Sequence, residues 1–130
     1  KLAKGYFIEP TIFDDVKNSM KIAREEIFGP VAAVIPFDKE EEAIQVANQT
    51  DYGLAAAVWT RDIYKAFRVV KQIRAGTVWI NHMQPCYVEG PWGGYKMSGT
   101  GRELGKYGIE NFLESKQVYV NLNENPIGWY

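Results

Sequence analysis

The stretch from Pro91 to Glu103 (PWGGYKMSGTGRE) holds the densest set of residues that could serve a binding site. Its glycines are Gly93, Gly94, Gly99 and Gly101. Because glycine loses more backbone freedom on folding than any other residue, such density is expected where the chain takes positive φ values or passes close to a ligand. A flexible linker would be richer in serine and poorer in tryptophan and tyrosine. The stretch therefore predicts a structured, functional loop.

Thr100 and Glu103 have the spacing of a capping box at a helix N-terminus. In that motif the hydroxyl accepts one free backbone N–H, and the carboxylate accepts another. The sequence thus predicts that a helix follows the loop and continues from Arg102.

Cys86 and His82 are the next candidates for chemistry, as the single cysteine and the single histidine. A nucleophilic cysteine needs an activating base, and His82 is the only one nearby in the sequence. A lone histidine is weak support for Cys86 as a nucleophile. His82 lacks a second metal-type residue at useful spacing, which favours a loop or surface position.

The composition excludes several classes of function. Net charge is −1 with scattered Lys and Arg, which argues against a nucleic-acid partner. No apolar run reaches membrane-spanning length, and no signal peptide opens the sequence, so we expect no membrane partner and a cytoplasmic location. A single cysteine fits a reducing compartment. We expect 130 residues to build one domain with its own core, although the start without Met suggests a section of a longer chain.

Alternating strand and helix patterns position the loop. Strands are predicted at 6–13, 31–37, 54–60, 77–81 and 117–122, with helices capped by Ser19, Asp38 and Asp62. Tyr52 and Gly53 predict a turn, Gly76 a helix C′ position, and the tail from Asn123 irregular structure. The alternation predicts an α/β fold with a largely parallel sheet, beyond whose carboxyl ends a ligand would bind.

Several segments in order resemble the C-terminal part of NAD(P)-dependent aldehyde dehydrogenases. The two most specific are EEIFGP at 25–30 and PWGGYKMSGTGRELG at 91–105, supported by GYFIEPTIF at 5–13, YGLAAAV at 52–58 and AGTVWIN at 75–81. The QPC of 84–86 and Trp92 are similar to the betaine aldehyde dehydrogenase branch, since many other relatives carry Phe at the tryptophan position. The resemblance implies that the catalytic cysteine, the general-base glutamate and the dinucleotide-binding half lie upstream of this sequence.

The resemblance also implies roles for individual residues. Glu26 matches the glutamate that binds the nicotinamide-ribose hydroxyls of NAD, and Phe28 matches the residue whose ring lies beside the nicotinamide. From the residue types alone, the alternative is that Glu26 is a solvated charge and Phe28 a core residue. Trp92 and Cys86 match the aldehyde tunnel, where an aromatic face attracts a trimethylammonium group. Thr77 matches a position that sets the pocket size.

Three further positions match functional residues of the family. Glu103 matches a proton-relay glutamate, with the capping box as its structural alternative. The main-chain carbonyls of Lys96 and Gly99 match a potassium site found in some betaine aldehyde dehydrogenases.

The resemblance implies a three-layer αβα catalytic domain over residues 1–116. Residues 117–130 would then form a C-terminal oligomerisation strand and tail, in which the strand from Gln117 to Leu122 joins a neighbouring subunit of a homodimer or homotetramer.

The expected activity of the complete protein is NAD-dependent oxidation of betaine aldehyde to glycine betaine, with the isolated section inactive. NADP as the cofactor stays open. The alternatives are an ω-aminoaldehyde or general aldehyde substrate, or a non-catalytic assembly module on the same framework.

Overall fold

Six short strands and four short helices occur in the part of the chain that the computed structural model describes, residues 4–125 and 128. The strands are β1 (Thr11–Phe13), β2 (Val31–Ala33), β3 (Tyr52–Gly53), β4 (Ala55–Val58), β5 (Thr77–Ile80) and β6 (Tyr95–Lys96). The helices are α1 (Lys21–Arg24), α2 (Glu40–Asn48), α3 (Ile63–Val70) and α4 (Gly105–Glu110). The strands are shorter than predicted, and Tyr52–Gly53 forms a strand where a turn was predicted.

Strands pair in three ladders within the described residues. β1 pairs with β2 and β4 with β5, both in parallel, whereas β3 and β6 pair antiparallel. β4, α3 and β5 form a strand–helix–strand unit, with Ala55 opposite Thr77 and Val58 opposite Ile80. These parallel pairs confirm the α/β prediction, while the three-layer arrangement and the boundary at residue 116 stay predictions.

Helix α3 begins as predicted and ends earlier than predicted. The Asp62 carboxylate accepts hydrogen bonds from the backbone N–H groups of Tyr64 (2.9 Å) and Lys65 (3.1 Å). Ala66 of this helix is fully buried. Because the helix ends at Val70 with Lys71 as its C-cap, the prediction that Gly76 is the C′ residue is wrong.

Gly76 is required instead by a close approach of two backbones. A Cβ atom at this position would lie 1.6 Å from the carbonyl oxygen of Gly93. The segment that enters β5 therefore packs directly against the glycine-rich loop. Sequence periodicity carries no signal for such a contact, since the two glycines lie in different elements.

The other three predicted helix caps are wrong. Met20 and Lys39 precede α1 and α2 without side-chain caps, although the Glu42 carboxylate accepts the N–H of Asp38 at 3.1 Å. The capping box of Thr100 and Glu103 does not form, because α4 begins only at Gly105, after a Leu104 with a φ of +59°. The backbone of Glu103 is committed to another partner, described below.

Few side chains are buried within the described residues. The buried apolar residues are Val16, Ala66 and Ala75. The chain exposes 11838 Å², whereas a compact protein of 14.8 kDa would expose about 7,000 Å². The prediction of a self-sufficient core is therefore wrong, and the elements present apolar faces that nothing in the described chain covers.

Residues 117–122 belong to those uncovered faces. Val118, Tyr119, Val120 and Leu122 are all exposed, and the segment pairs with no strand of the described chain. The predicted half-buried strand is therefore not formed within this chain. Of the tail that follows, residues 126, 127, 129 and 130 lie outside the described residues.

An ion pair joins helices α2 and α3. Arg68 donates from Nε to Glu40 Oε1 at 2.7 Å and from Nη2 to Glu40 Oε2 at 2.8 Å. Paired N–H donors match the geometry of a carboxylate and favour its charged form. The hydrogen bonds from Arg68 consequently hold the pKa of Glu40 below its ordinary value of 4.5.

Substitution of Gly76 by Ala tests the close approach. We expect Gly76→Ala to destabilise the purified protein by about 3 kcal/mol or more, because the new methyl group would overlap a backbone oxygen that cannot move away cheaply. Gly90→Ala is the control, since its Cβ would meet only the carbonyl of Tyr87 at 3.6 Å. Thermal unfolding measures both, and equal midpoints for the two variants would contradict the contact.

The Glu40–Arg68 pair predicts a pH dependence of stability. The pKa of Glu40 is lower in the folded state than in the unfolded state. The ion pair therefore stabilises the fold at pH values above the unfolded pKa, and this stabilisation is lost as the pH falls through the folded pKa. Glu40→Gln should lower the unfolding midpoint at neutral pH and have a much smaller effect at about pH 3. Glu41→Gln makes the same charge change one residue along, and an equal pH profile for both variants would count against the ion pair.

Candidate active site

The glycine-rich loop, residues 91–103, closes at Trp92 and Glu103. The N–H of Trp92 donates to the carbonyl of Glu103 and the N–H of Glu103 to that of Trp92, both at 2.7 Å. This reciprocal pairing brings the two ends of the loop together, and we call this closed end, formed by Trp92 and Glu103, the neck of the loop. The prediction of a structured loop is confirmed, and the same pairing explains why Glu103 does not cap α4.

Neighbouring segments anchor the body of the loop. Strand β6 pairs with β3, and the N–H of Gly53 donates to Ser98 Oγ at 3.0 Å. Lys96 Nζ donates to the carbonyl of Asn48 (2.8 Å), the last residue of α2, and to that of Thr50 (2.9 Å) two residues later. Sequence analysis had assigned a role only to the Lys96 carbonyl and missed its ammonium group.

The Arg102 side chain hydrogen-bonds to the backbone of the loop at two positions. Its Nη1 donates to the carbonyls of Gly94 and Gly101, and its guanidinium carbon lies 5.3 Å from the centroid of the Tyr95 ring. A Cβ on Gly93 would lie 2.7 Å from the Gly101 carbonyl oxygen, so the two sides of the loop meet there. The loop is therefore rigid for reasons that glycine content alone does not reveal.

Trp79 of β5 connects two of the predicted substrate-binding positions. Its ring centroid lies 6.1 Å from that of the half-buried Trp92, with the planes inclined at 37°. Its Nε1–H donates to the carbonyl of Pro85 at 3.0 Å, and Pro85 precedes Cys86. The sequence gives no signal for this role of Trp79, since an aromatic residue in a strand is ordinary.

Thr77 lies on the same strand as Trp79, two residues earlier. Residues at i and i+2 of a strand point to one face, so Thr77 and Trp79 share a face of β5. Thr77 Oγ1 is buried and has no hydrogen-bond partner among the described residues. Of the three positions predicted together from the sequence, Trp92 therefore contacts Trp79, Thr77 shares its strand, and Cys86 follows its hydrogen-bond partner Pro85.

Asn81 holds the carboxyl ends of β4 and β5 together. At a φ of +52°, it accepts the N–H of Thr60 at Oδ1 (2.8 Å) and donates from Nδ2 to the Thr60 carbonyl (2.9 Å). Asparagine tolerates the left-handed conformation better than most residues, which was the signal in the sequence. The segment that leads to Cys86 starts from this clamp.

Glu26 and the glycine-rich loop border adjoining cavities. Glu26 lines a cavity of about 350 Å³ together with Leu54, Arg74 and Ser98. A second cavity of about 460 Å³ is lined by Trp92 and Glu103 and shares Leu54 and Ser98 with the first. Glu26 and the neck of the loop therefore border cavities that share Leu54 and Ser98.

Glu25, Glu26 and Phe28 differ in their surroundings. Glu25 pairs with Lys21 at 3.4 Å on the exposed face of α1, as expected for a solvated helix-end charge. Phe28 is 96% exposed and does not line the Glu26 cavity, so its interpretation as a core residue is wrong. Its φ of +36° is unusual for a bulky side chain and marks local strain of the kind that clusters at ligand sites.

Cys86 and His82 show no nucleophile–base arrangement. Cys86 is exposed, and His82 Nδ1 accepts the N–H of Met83 at 2.7 Å. Within residues 4–125, no three His, Cys, Asp or Glu side chains are grouped so that they could hold a metal ion. The role of Cys86 in a pocket wall stays a prediction.

Lys96 and Gly99 form a tight turn. The Lys96 carbonyl accepts the N–H of Gly99 at 3.3 Å, and both residues have positive φ values. The second lone pair of that carbonyl is left for another partner. A potassium ion on these carbonyls stays a prediction.

No helix in the described part of the chain is long and apolar enough to cross a membrane.

Known proteins resemble this chain over nearly its whole length. It is 55% identical over 129 residues to the chloroplastic betaine aldehyde dehydrogenase of Beta vulgaris and 55% identical over 129 residues to the peroxisomal aminoaldehyde dehydrogenase 2 of Pisum sativum. Each match covers 99% of this chain and 26% of the relative. The crystal structure of the Staphylococcus aureus betaine aldehyde dehydrogenase in complex with NAD+ superposes with a TM-score of 0.91 at 51% identity, over 95% of this chain and 25% of that one.

The chain thus spans about a quarter of the length of these relatives. The model of the aldehyde dehydrogenase family matches residues 1–118. With the loop, the Glu26 segment and the β5 segment all in the expected order, the chain belongs to the aldehyde dehydrogenase family.

Proposed function

We propose that this chain forms one wall of the active site of an NAD-dependent aldehyde dehydrogenase that oxidises betaine aldehyde to glycine betaine. The observation that carries the proposal is the position of Trp92, which is half-buried at the closed neck of the loop and backed by Trp79. The names of the relatives from Beta vulgaris and Staphylococcus aureus support this substrate and cofactor. The catalytic cysteine and the general-base glutamate would be supplied by polypeptide outside this chain.

Trp92 would bind the cationic end of the aldehyde. A quaternary ammonium has no N–H to satisfy, so an aromatic face can replace much of its hydration. The exposed Cys86 and the half-buried Thr77 would complete the wall around Trp79.

Glu26 and Phe28 would hold the cofactor. A carboxylate that lines a cavity can accept two ribose hydroxyls, and the residues at the Glu26 cavity fit that task. The exposed Phe28 ring is available for a flat contact with a heteroaromatic group. NAD, when bound, supplies the hydride acceptor.

Glu103 would relay protons. Its structural alternative, the capping box, is removed because α4 begins at Gly105. The reciprocal bonds with Trp92 fix its backbone, while its exposed side chain lines the second cavity. This position at the same neck as Trp92 supports the proposed role of Glu103.

An ω-aminoaldehyde is the second candidate substrate, favoured by the 55% identity to the aminoaldehyde dehydrogenase of Pisum sativum. A primary ammonium also interacts with an aromatic face, but its three N–H donors require acceptors that the Trp92 ring does not supply. Betaine aldehyde therefore fits the described wall better. We propose a cytoplasmic location, although the names of the plant relatives include chloroplastic and peroxisomal proteins.

Residues 117–122 would join a neighbouring subunit of a homodimer or homotetramer, within the three-layer αβα framework proposed for residues 1–116. Val118, Val120 and Leu122 alternate with Tyr119 and Asn121, and all are exposed in this chain. Unpaired backbone groups beside apolar side chains invite pairing with another strand edge. Potassium, bound to the carbonyls of Lys96 and Gly99, would brace the loop from the side opposite its neck.

Substitution of Trp92 tests the proposed substrate. In the full-length protein, Trp92→Ala should lower kcat/KM for betaine aldehyde roughly ten- to thirtyfold more than for its neutral analogue, in which tert-butyl replaces trimethylammonium. The analogue has nearly the same shape, so the comparison isolates the charge. Steady-state kinetics with NAD provide the measurement, and an ω-aminoaldehyde serves as the third substrate. An equal loss on the charged and neutral aldehydes would remove the cation–π argument.

Substitution of Val120 tests the oligomerisation strand. Val120→Asp should shift the full-length protein toward smaller species in sedimentation velocity, because a charge would enter the buried face of the joined strand. Asn121→Asp adds the same charge on the opposite face and should leave the oligomer unchanged. A wild-type monomer, or no shift in Val120→Asp, would refute the role of this segment.

A further inference from the structure

We propose that Trp79 is a positioning residue that holds both sides of the substrate wall, Trp92 and the segment before Cys86, and thereby sets the preference for cationic aldehydes. This inference rests on the proposed function. It is carried by two contacts of one side chain: the Nε1–H bond to the Pro85 carbonyl at 3.0 Å and the 6.1 Å ring contact with Trp92.

Trp79 stands on a rigid base. It lies in β5, opposite Ala57 of β4, in a ladder of four residue pairs, and every residue of β5 is half-buried. A side chain on such a strand is better fixed than one on a loop. Through its contacts, Trp79 therefore holds Trp92 and Pro85 in position relative to β5.

The hydrogen bond fixes the Cys86 segment. The indole nitrogen is a donor only, and here its partner is the carbonyl of Pro85, six residues along the chain. That carbonyl belongs to the peptide group that joins Pro85 to Cys86, so fixing the oxygen fixes the entry to Cys86. Asn81 clamps the other end of the same short segment.

The ring contact fixes the orientation of Trp92. The backbone of Trp92 is already held by Glu103, and the adjoining Gly93 packs on Gly76. With the backbone fixed, the remaining freedom of Trp92 is rotation of its side chain, which the tilted Trp79 ring limits. Trp79 thus determines which way the face of Trp92 is presented.

Orientation affects charged and neutral substrates differently. Cation–π attraction requires the cation over the ring face within about 6 Å of the centroid. Apolar contact is non-directional and tolerates a tilted ring. A loosened Trp92 should therefore lose selectivity for the cation before it loses binding of a neutral aldehyde of equal size.

Trp79→Phe removes the N–H donor and keeps an aromatic ring. In the full-length protein, we expect the ratio of kcat/KM for betaine aldehyde to that for the tert-butyl analogue to fall roughly three- to tenfold, the range that corresponds to one lost hydrogen bond. The loss should be mainly in KM for betaine aldehyde. Hydrogen exchange of residues 82–88 should become faster. Trp59→Phe, at the end of the neighbouring strand and 61% exposed, is the matched control and should change none of these.

The outcomes separate this inference from the proposed function. If the wild-type protein does not prefer betaine aldehyde to the neutral analogue, the proposed function fails. If it does prefer it and Trp79→Phe leaves the ratio and the exchange unchanged, the positioning role of Trp79 is refuted. Should Trp79→Phe not fold, a crystal structure of the wild-type full-length protein decides: an indole nitrogen beyond hydrogen-bond distance of the Pro85 carbonyl overturns the inference.

Discussion

The reciprocal backbone hydrogen bonds between Trp92 and Glu103 are the constraint on which the rest of the site depends. They convert an open run of glycines into a closed loop whose neck presents a tryptophan and a carboxylate side by side. Arg102 hydrogen-bonds to carbonyls within that loop, and Lys96 hydrogen-bonds to carbonyls at the C-terminal end of α2. Because these partners are main-chain carbonyls, the closure depends on backbone positions.

Local signals in the sequence predicted the features whose partners lie close in the chain. Asp62 caps α3 as expected because its partners are two and three residues away. The pattern of Thr100 and Glu103 had the correct local spacing and failed, because a distant strand-like pairing with Trp92 competed for the backbone of Glu103. Gly76 was likewise predicted from a local pattern, as the residue that ends a helix. Its actual partner, Gly93, lies in another element, and no local pattern reports that contact.

Recognition of the family located residues that composition could not. Cys86, Trp92 and Thr77 share no sequence period, yet Trp79 contacts Trp92 and the residue before Cys86, and it lies on the same strand as Thr77. Trp79 itself was passed over, since an aromatic residue in a strand is ordinary on propensity grounds. Its contacts became visible only when β5 and the loop were placed together. Residues that act by holding other residues leave a weaker trace in the sequence than those that touch a ligand.

Because the chain exposes so much surface, local hydrogen bonds matter more to its shape than hydrophobic burial does. An excess of about 5,000 Å² over a compact protein of this mass means that hydrophobic burial within the chain contributes little to the shape of the site. These segments nevertheless have a defined geometry. Hydrogen bonds of Trp79 and Asn81 tie Pro85 and Thr60 to β5, and those of Lys96 and Arg102 tie the loop to the end of α2 and to itself. Apolar faces such as that of residues 117–122 are then free to pack against further polypeptide. Docking of the wall would bury those faces while the bonds that orient Trp92 stay in place.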